Sequence, residues 1–133
     1  MIGSGNPGNS ASVKGRSACP VACSLDLLGD KWTLLVVRDL LLGKTTYTEF
    51  QQSPEGIPTN ILAERLKRLL AAGIVEKSRY QERPVRYAYH LTEKGRDLGP
   101  VLSALVDWGN RHIPGTVPRE QIEALAPWPA KGD

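Results

Sequence analysis

Residues 58–91 read PTNILAERLKRLLAAGIVEKSRYQERPVRYAYHL, and a change of period inside them decides the fold. From Pro58 to Ala72 the apolar residues recur at three- and four-residue steps, so Leu62, Leu66 and Leu69 form one helical stripe. Proline suits a first helical turn, and Gly73 supplies the stop. The opposite face carries Asn60, Ala63, Glu64, Lys67 and Ala71, with Arg68 beside it and Arg65 at the edge of the stripe. After Gly73 the period falls to two. Val85, Tyr87, Tyr89 and Leu91 alternate with Arg86, Ala88 and His90. Residues 74–80 and 85–91 are therefore expected as two strands, with Gln81-Glu82-Arg83-Pro84 as the hairpin turn.

Upstream, a helix is expected from Pro20 to a stop at Gly29. Asp30 then caps a second helix over residues 31–42, closed by Gly43. Leu34, Val37 and Leu41 share one face of it, and Leu35, Val36, Leu40 and Leu42 crowd the others, which makes it a mostly buried helix. Thr46 followed by Glu49 fits a capping box and opens a short helix to about Gln52. Ser53-Pro54-Glu55-Gly56 reads as a turn. Downstream, Thr92 caps a final helix to about His112, with Leu98, Val101, Leu102, Leu105 and Trp108 as its stripe. The order is helix, helix, short helix, helix, hairpin, helix. This is a mainly α fold with a small β-hairpin wing, the winged helix-turn-helix plan.

The 133 residues suit one compact domain with tails. Residues 1–17 are rich in Gly, Ser and Asn and are expected as a flexible tail; residues 18–113 form the domain; residues 114–133, with four prolines, form an extension with one short helix over residues 119–125. No apolar run approaches the roughly 18 residues of a membrane span. The N-terminus lacks the apolar centre of a signal peptide, so the expected compartment is the cytoplasm. Two cysteines and two histidines without paired spacing argue against zinc, and no cofactor is called for. His90 and His112 have no nucleophile or carboxylate at telling spacing, and no Gly-rich phosphate loop occurs. The chain is therefore not expected to be an enzyme.

The net charge of +3 says little until it is resolved along the chain. Residues 57–91 hold seven basic residues (Arg65, Lys67, Arg68, Lys77, Arg79, Arg83, Arg86) against Glu64, Glu76 and Glu82, a net +4. Residues 19–56 hold three basic and five acidic residues, a net −2. Positive charge thus concentrates on one helix and one hairpin. Phosphate binding wants this arrangement, because each neutralised phosphate releases condensed counterions. A solvated helix face is the plain reading of the same charges. The helix order favours double-stranded DNA, and a basic wing argues against a winged helix used only for protein assembly.

Five stretches occur in the order seen in HxlR-type regulators. They are Cys19-Pro20-Val21, Gly29-Asp30-Lys31-Trp32, Leu62-Ala63-Glu64-Arg65-Leu66-Lys67-Arg68-Leu69, Ala72-Gly73-Ile74-Val75, and Tyr89-His90-Leu91-Thr92-Glu93-Lys94-Gly95. Over about residues 18–113 the chain resembles that family of bacterial, MarR-like winged-helix transcription factors. The resemblance implies a homodimer on near-palindromic operators and, for some members, sensing of oxidants or electrophiles through the early cysteine. It also implies that the Cys19 end of the first helix joins the dimer interface. Two departures stand out: Pro58 replaces the usual serine at the head of the recognition helix, and Cys23 is an extra cysteine.

A major groove of ~12 Å admits one helix, whose N-terminal residues reach base edges. Thr59 and Asn60 are the expected base readers. Arg65, Lys67 and Arg68 are expected on phosphates, and Glu64 in an intrahelical pair with Arg68. In the hairpin, Arg83 beside Pro84 is the minor-groove candidate, flanked by Arg79 and Arg86 on the backbone. One such unit reads few base pairs, so a dimer is expected, formed by the stripe Leu98, Val101, Leu102, Leu105 and Trp108. Closure of the subunit's own core is the other reading of the same stripe. Cys19 and Cys23 share one helix face, and Cys19 stands at a helix N-terminus with Lys14 and Arg16 upstream, a setting in which thiols become reactive. A redox role and a small buried hydrophobe remain two readings of these cysteines. A small-molecule effector in a pocket at the dimer interface is the alternative switch; Trp32, Tyr47 and Trp108 are its aromatic candidates, or core residues.

Overall fold

A computed structural model describes residues 16–125. Residues 1–15 of the expected tail, with Lys14, and residues 126–133 of the extension lie outside the described residues. The elements are α1 (Pro20–Leu28), α2 (Thr33–Leu41), α3 (Tyr47–Gln51), α4 (Thr59–Ala71), β1 (Val75–Glu82), β2 (Val85–Leu91), α5 (Glu93–Arg96), α6 (Gly99–His112) and α7 (Arg119–Glu123). They divide into two compact units, one ending at Leu34 and one beginning at Leu35.

In the first unit, α1 opens with Pro20 in its first turn and Cys19 as its cap residue. Ser17 Oγ accepts the Cys19 amide proton at 3.2 Å, and the Arg16 guanidinium meets the Asp26 carboxylate at 2.9 Å. Asp30 caps the next helix by accepting from the amides of Trp32 and Thr33 at 3.0 and 3.1 Å. That cap occupies residues 31–32 as a turn, so α2 starts at Thr33, two residues later than expected.

In the second unit, the core gathers Val36, Val37, Leu40, Phe50, Leu62, Leu66, Leu69, Ile74, Val75, Tyr89 and Leu102. The α4 stripe is fully inside it, and each such leucine is worth about 1.5–3 kcal/mol of burial. Thr46 and Glu49 form the expected capping box: the threonine hydroxyl accepts the Glu49 amide proton, and the Glu49 carboxylate accepts the Thr46 amide proton at 3.1 Å. Gly73 ends α4 at φ +74°, a left-handed conformation that a side chain would strain.

The two strands pair antiparallel, with Val75 opposite Leu91 and Glu82 opposite Val85. β1 runs two residues further than expected and carries an irregularity between Arg79 and Gln81, so Tyr80 is the extra residue and the tight turn contains only Arg83 and Pro84. The alternation along β2 is also incomplete. Ala88 was expected on the polar side but is buried beside Tyr89, while Val85 at the tip is exposed. The base of the hairpin is embedded in the unit and its tip stands in solvent. A backbone bond of 2.8 Å from Tyr89 N–H to the Thr45 carbonyl ties that base to the loop before α3.

The final helix is two helices. Pro100 sits in the first turn of α6 and cannot donate back to α5, so the chain breaks at Asp97 and Leu98. The Thr92–Gly95 segment locks this joint to the end of α4. Thr92 donates its hydroxyl to the Gly73 carbonyl at 2.6 Å, and Lys94 donates to the Ala72 carbonyl at 2.7 Å. Gly95 passes so close that a Cβ there would stand 2.2 Å from the Ile74 carbonyl oxygen. Beyond α6, Arg119 folds back onto it: its guanidinium meets Asp107 at 3.0 Å and donates to the Ser103 carbonyl and hydroxyl at 2.7 and 2.6 Å.

Candidate nucleic-acid interface

α3, the turn at residues 52–58 and α4 make the helix-turn-helix, and the β1–β2 hairpin makes the wing. With Leu62, Leu66 and Leu69 fixed inward, helical geometry leaves Thr59, Asn60, Ala63, Glu64, Lys67 and Ala71 exposed together. Thr59 and Asn60 occupy the first turn, as expected. Pro58 is the cap residue, and no side chain caps the helix there. Glu64, expected on Arg68, contacts the guanidinium of its chain neighbour Arg65. Arg65 itself is half-buried, which follows from its place at the edge of the core stripe. Arg68 is half-buried as well, while Lys67 is exposed.

In the wing, Arg83 and Arg86 are exposed, and among the described residues no ion pair engages Lys67, Arg83 or Arg86. Arg79 reaches Glu82 at 3.3 Å, both well exposed. Lys77 lies over the Tyr87 ring, 4.4 Å from its centroid. Gln81 was not singled out by sequence. Its side-chain amide donates to the Arg83 and Pro84 carbonyls at 3.3 and 3.2 Å, which braces the tip that carries Arg83.

A polar cluster holds the turn between α3 and α4. Arg38 on α2 makes two bonds to Glu55, at 2.7 and 2.8 Å, and two to Asp39, at 3.1 and 2.9 Å. The buried Asp39 accepts the Ser53 hydroxyl proton at 2.6 Å, and Lys44 donates to Ser53 at 2.6 Å. The hydrogen bond from Arg38 holds the Glu55 carboxyl below the usual carboxylate range, and the bond to Glu55 in turn raises the Arg38 pKa. The Glu49 carboxyl is lowered chiefly by the Thr45 amide. Burial raises the Tyr89 phenol. Arg38, Asp39 and Glu55 lie 1 to 17 residues apart, and nothing in that spacing announces a cluster.

The remaining candidates fall elsewhere. Cys19 and Cys23 are free and half-buried; the Cys23 thiol donates to the Ser17 carbonyl at 3.2 Å. Arg16, expected to support Cys19, is engaged by Asp26. On α6, Val101, Leu105 and Trp108 are 45–59% exposed and share one face, whereas Leu102 belongs to the core and Leu98 is a half-buried cap residue. Trp108 is not a core residue; it packs on His112 with ring centroids 4.9 Å apart. Trp32 lies under the Lys31 ammonium at 5.0 Å, and Tyr47 packs on Tyr89. No helix among the described residues is long and apolar enough to cross a membrane.

Comparison with known proteins agrees with this architecture. The chain is 35% identical over 94 residues to an uncharacterised HTH-type transcriptional regulator of Mycobacterium tuberculosis, covering 71% of this chain and 59% of that one. It therefore spans about three fifths of the length of that relative. Among solved structures it is similar to the redox regulator HypR in its oxidised form, with TM-score 0.65 and 34% identity over 71% of this chain and 97% of the other. It is also similar to the reduced form of the transcriptional regulator YodB from B. subtilis, with TM-score 0.61 and 33% identity over 74% and 98% of the two chains. The profile of the HxlR-like helix-turn-helix family matches residues 27–116. These residues include the whole helix-turn-helix, the wing and α6, and the chain belongs to the HxlR-like helix-turn-helix family of transcriptional regulators, not to a family of enzymes.

Proposed function

We propose that the chain is a sequence-specific DNA-binding transcriptional regulator that acts on near-palindromic operators as a homodimer. The observation that carries this reading is the exposed face of α4, with Thr59 and Asn60 in its first turn and Lys67 about two turns on, beside a wing whose Arg83 and Arg86 have no carboxylate partner among the described residues. Thr59 and Asn60 read bases, a thymine methyl and an adenine edge respectively. Lys67, Arg65 and Arg68 position the helix on phosphates, Arg83 enters the minor groove, and Arg79 and Arg86 hold the flanking backbone. Gel shifts with the duplex upstream of the protein's own gene, at two salt concentrations, test this. A shift that weakens with salt and exceeds that of a scrambled duplex supports it; equal, salt-insensitive shifts contradict it.

The dimer is assigned to the exposed apolar side of α6. A face presenting Val101, Leu105 and Trp108 to water gains from burial against a second copy of itself. Sedimentation of a micromolar solution as a dimer, and of Trp108→Glu as a monomer, is the expected outcome. The switch is assigned to the cysteines, supported by likeness to a protein described as a redox regulator. Two thiols lose two protons and two electrons to an oxidant and form a disulfide, either between Cys19 and a cysteine of the partner subunit or between Cys19 and Cys23. The second bridge joins the cap residue of α1, whose backbone is extended, to a residue one turn into the helix. Diamide should change operator affinity of the wild type and leave Cys19→Ser unaffected; an unchanged wild type removes the redox switch.

A further inference from the structure

Gln51 is the last residue of α3, and Thr59 is the first residue of α4. Both are exposed, and the Gln51 side-chain amide donates to the Thr59 hydroxyl oxygen at 3.0 Å. The geometry points to Gln51 as a further specificity-determining residue, an adenine reader that Thr59 positions. This rests on the reading of α4 as the recognition helix, and it moves one base contact from α4 onto α3.

A glutamine amide has two N–H donors and one carbonyl acceptor. One N–H is spent on Thr59. What remains is one donor and one acceptor side by side, the complement of the N7 acceptor and N6 donor on the major-groove edge of adenine. The bond to Thr59 holds the amide at the head of α4, whereas a free surface glutamine would lose more side-chain freedom on binding. Thr59 in turn is not used as a helix cap, because the cap residue is Pro58 and no side chain caps α4. Its hydroxyl is therefore available for this bond, and its methyl group stays available for a thymine. Gln51 carries no charge, so its contribution is to the choice of sequence and not to the phosphate term.

The test is selection of bound duplexes from a randomised pool by the full chain, with Gln51→Ala, Gln51→Glu, Thr59→Val and Lys67→Ala run in parallel and folding checked by thermal melts. Wild type should enrich adenine at two positions in each half-site, one read by Asn60 and one by Gln51. Gln51→Ala should lose one of them and keep the other, with about a tenfold loss of preference there, while the salt slope on nonspecific DNA stays unchanged. Gln51→Glu, which only accepts, should move the preference toward cytosine. Thr59→Val, which keeps the shape and loses the hydroxyl, should blur the same adenine position. Lys67→Ala should weaken all sequences alike. A Gln51→Ala pool identical to that of wild type overturns the inference and leaves the recognition helix standing. A wild type that enriches no sequence overturns both.

Discussion

The surface of α4 with the wing and the turn in front of it use the same kinds of residue to opposite ends. Around the turn, Arg38, Asp39, Ser53, Lys44 and Glu55 satisfy one another at 2.6–3.1 Å, and Asp39 is buried. On α4 and the wing, Lys67, Arg83 and Arg86 are exposed with no partnering carboxylate among the described residues. Paired charges fix a frame, because each bond made inside the protein removes a freedom of the chain. Unpaired charges contribute little to folding and are the ones left to meet an external anion. Charge content alone therefore does not separate these two regions; the pairing state of each charge does.

The sharpest contrast is on α4 itself, where one helix has a buried side and an exposed side. Leu66→Ala should cost about 2–5 kcal/mol in a denaturant melt, the range for a leucine removed from a packed core. Arg38→Ala should cost about 1–3 kcal/mol, because it strips the hydrogen bonds from Glu55 and leaves the buried Asp39 with only Ser53 among its described partners. If Arg38→Ala instead melts like wild type and loses DNA affinity, the two regions have been assigned the wrong way round. Lys67→Ala should change stability by less than about 0.5 kcal/mol and should lower the salt slope of DNA binding by about 1.

The smallest effect concerns acid. Glu55 and Glu49 have folded-state pKa values below the unfolded value of 4.5. Each contributes stability that is present above the unfolded pKa and is lost as pH falls through the folded one. Melts between pH 6 and pH 3 should therefore show falling stability, with a shallower fall in Glu55→Gln. A wild-type melting point that does not move over that window would remove the assigned role of the Glu55–Arg38 pair.

Local signals carried most of the fold. The period of α4, the Thr46–Glu49 box and the stops at Gly29 and Gly73 each involve residues a few positions apart, and each was legible in the sequence. The expected single helix from Thr92 to His112 is instead two: Pro100 cannot donate, but the apolar spacing across it masked the break at Asp97. The Arg38–Asp39–Glu55 cluster, the Gln51–Thr59 bond and the return of Arg119 onto Ser103 were not legible. Each joins residues 8 to 17 positions apart through a turn whose direction no local pattern encodes. For the same reason Leu102 and the rest of its stripe read as one surface, on a dimer face or in the core, whereas the break before α6 turns Leu102 into the core and leaves Val101, Leu105 and Trp108 outside.

In the proposed function the unpaired cations of α4 and the wing are the DNA-binding surface. The most direct test is the slope of log K against log salt on one duplex, for wild type and for the double variant Lys67→Ala/Arg83→Ala. Loss of one phosphate contact and one minor-groove cation, each of which displaces counterions, should flatten the slope by about 1.8 on B-DNA while the melting point holds. An unchanged slope with undiminished affinity would contradict the account.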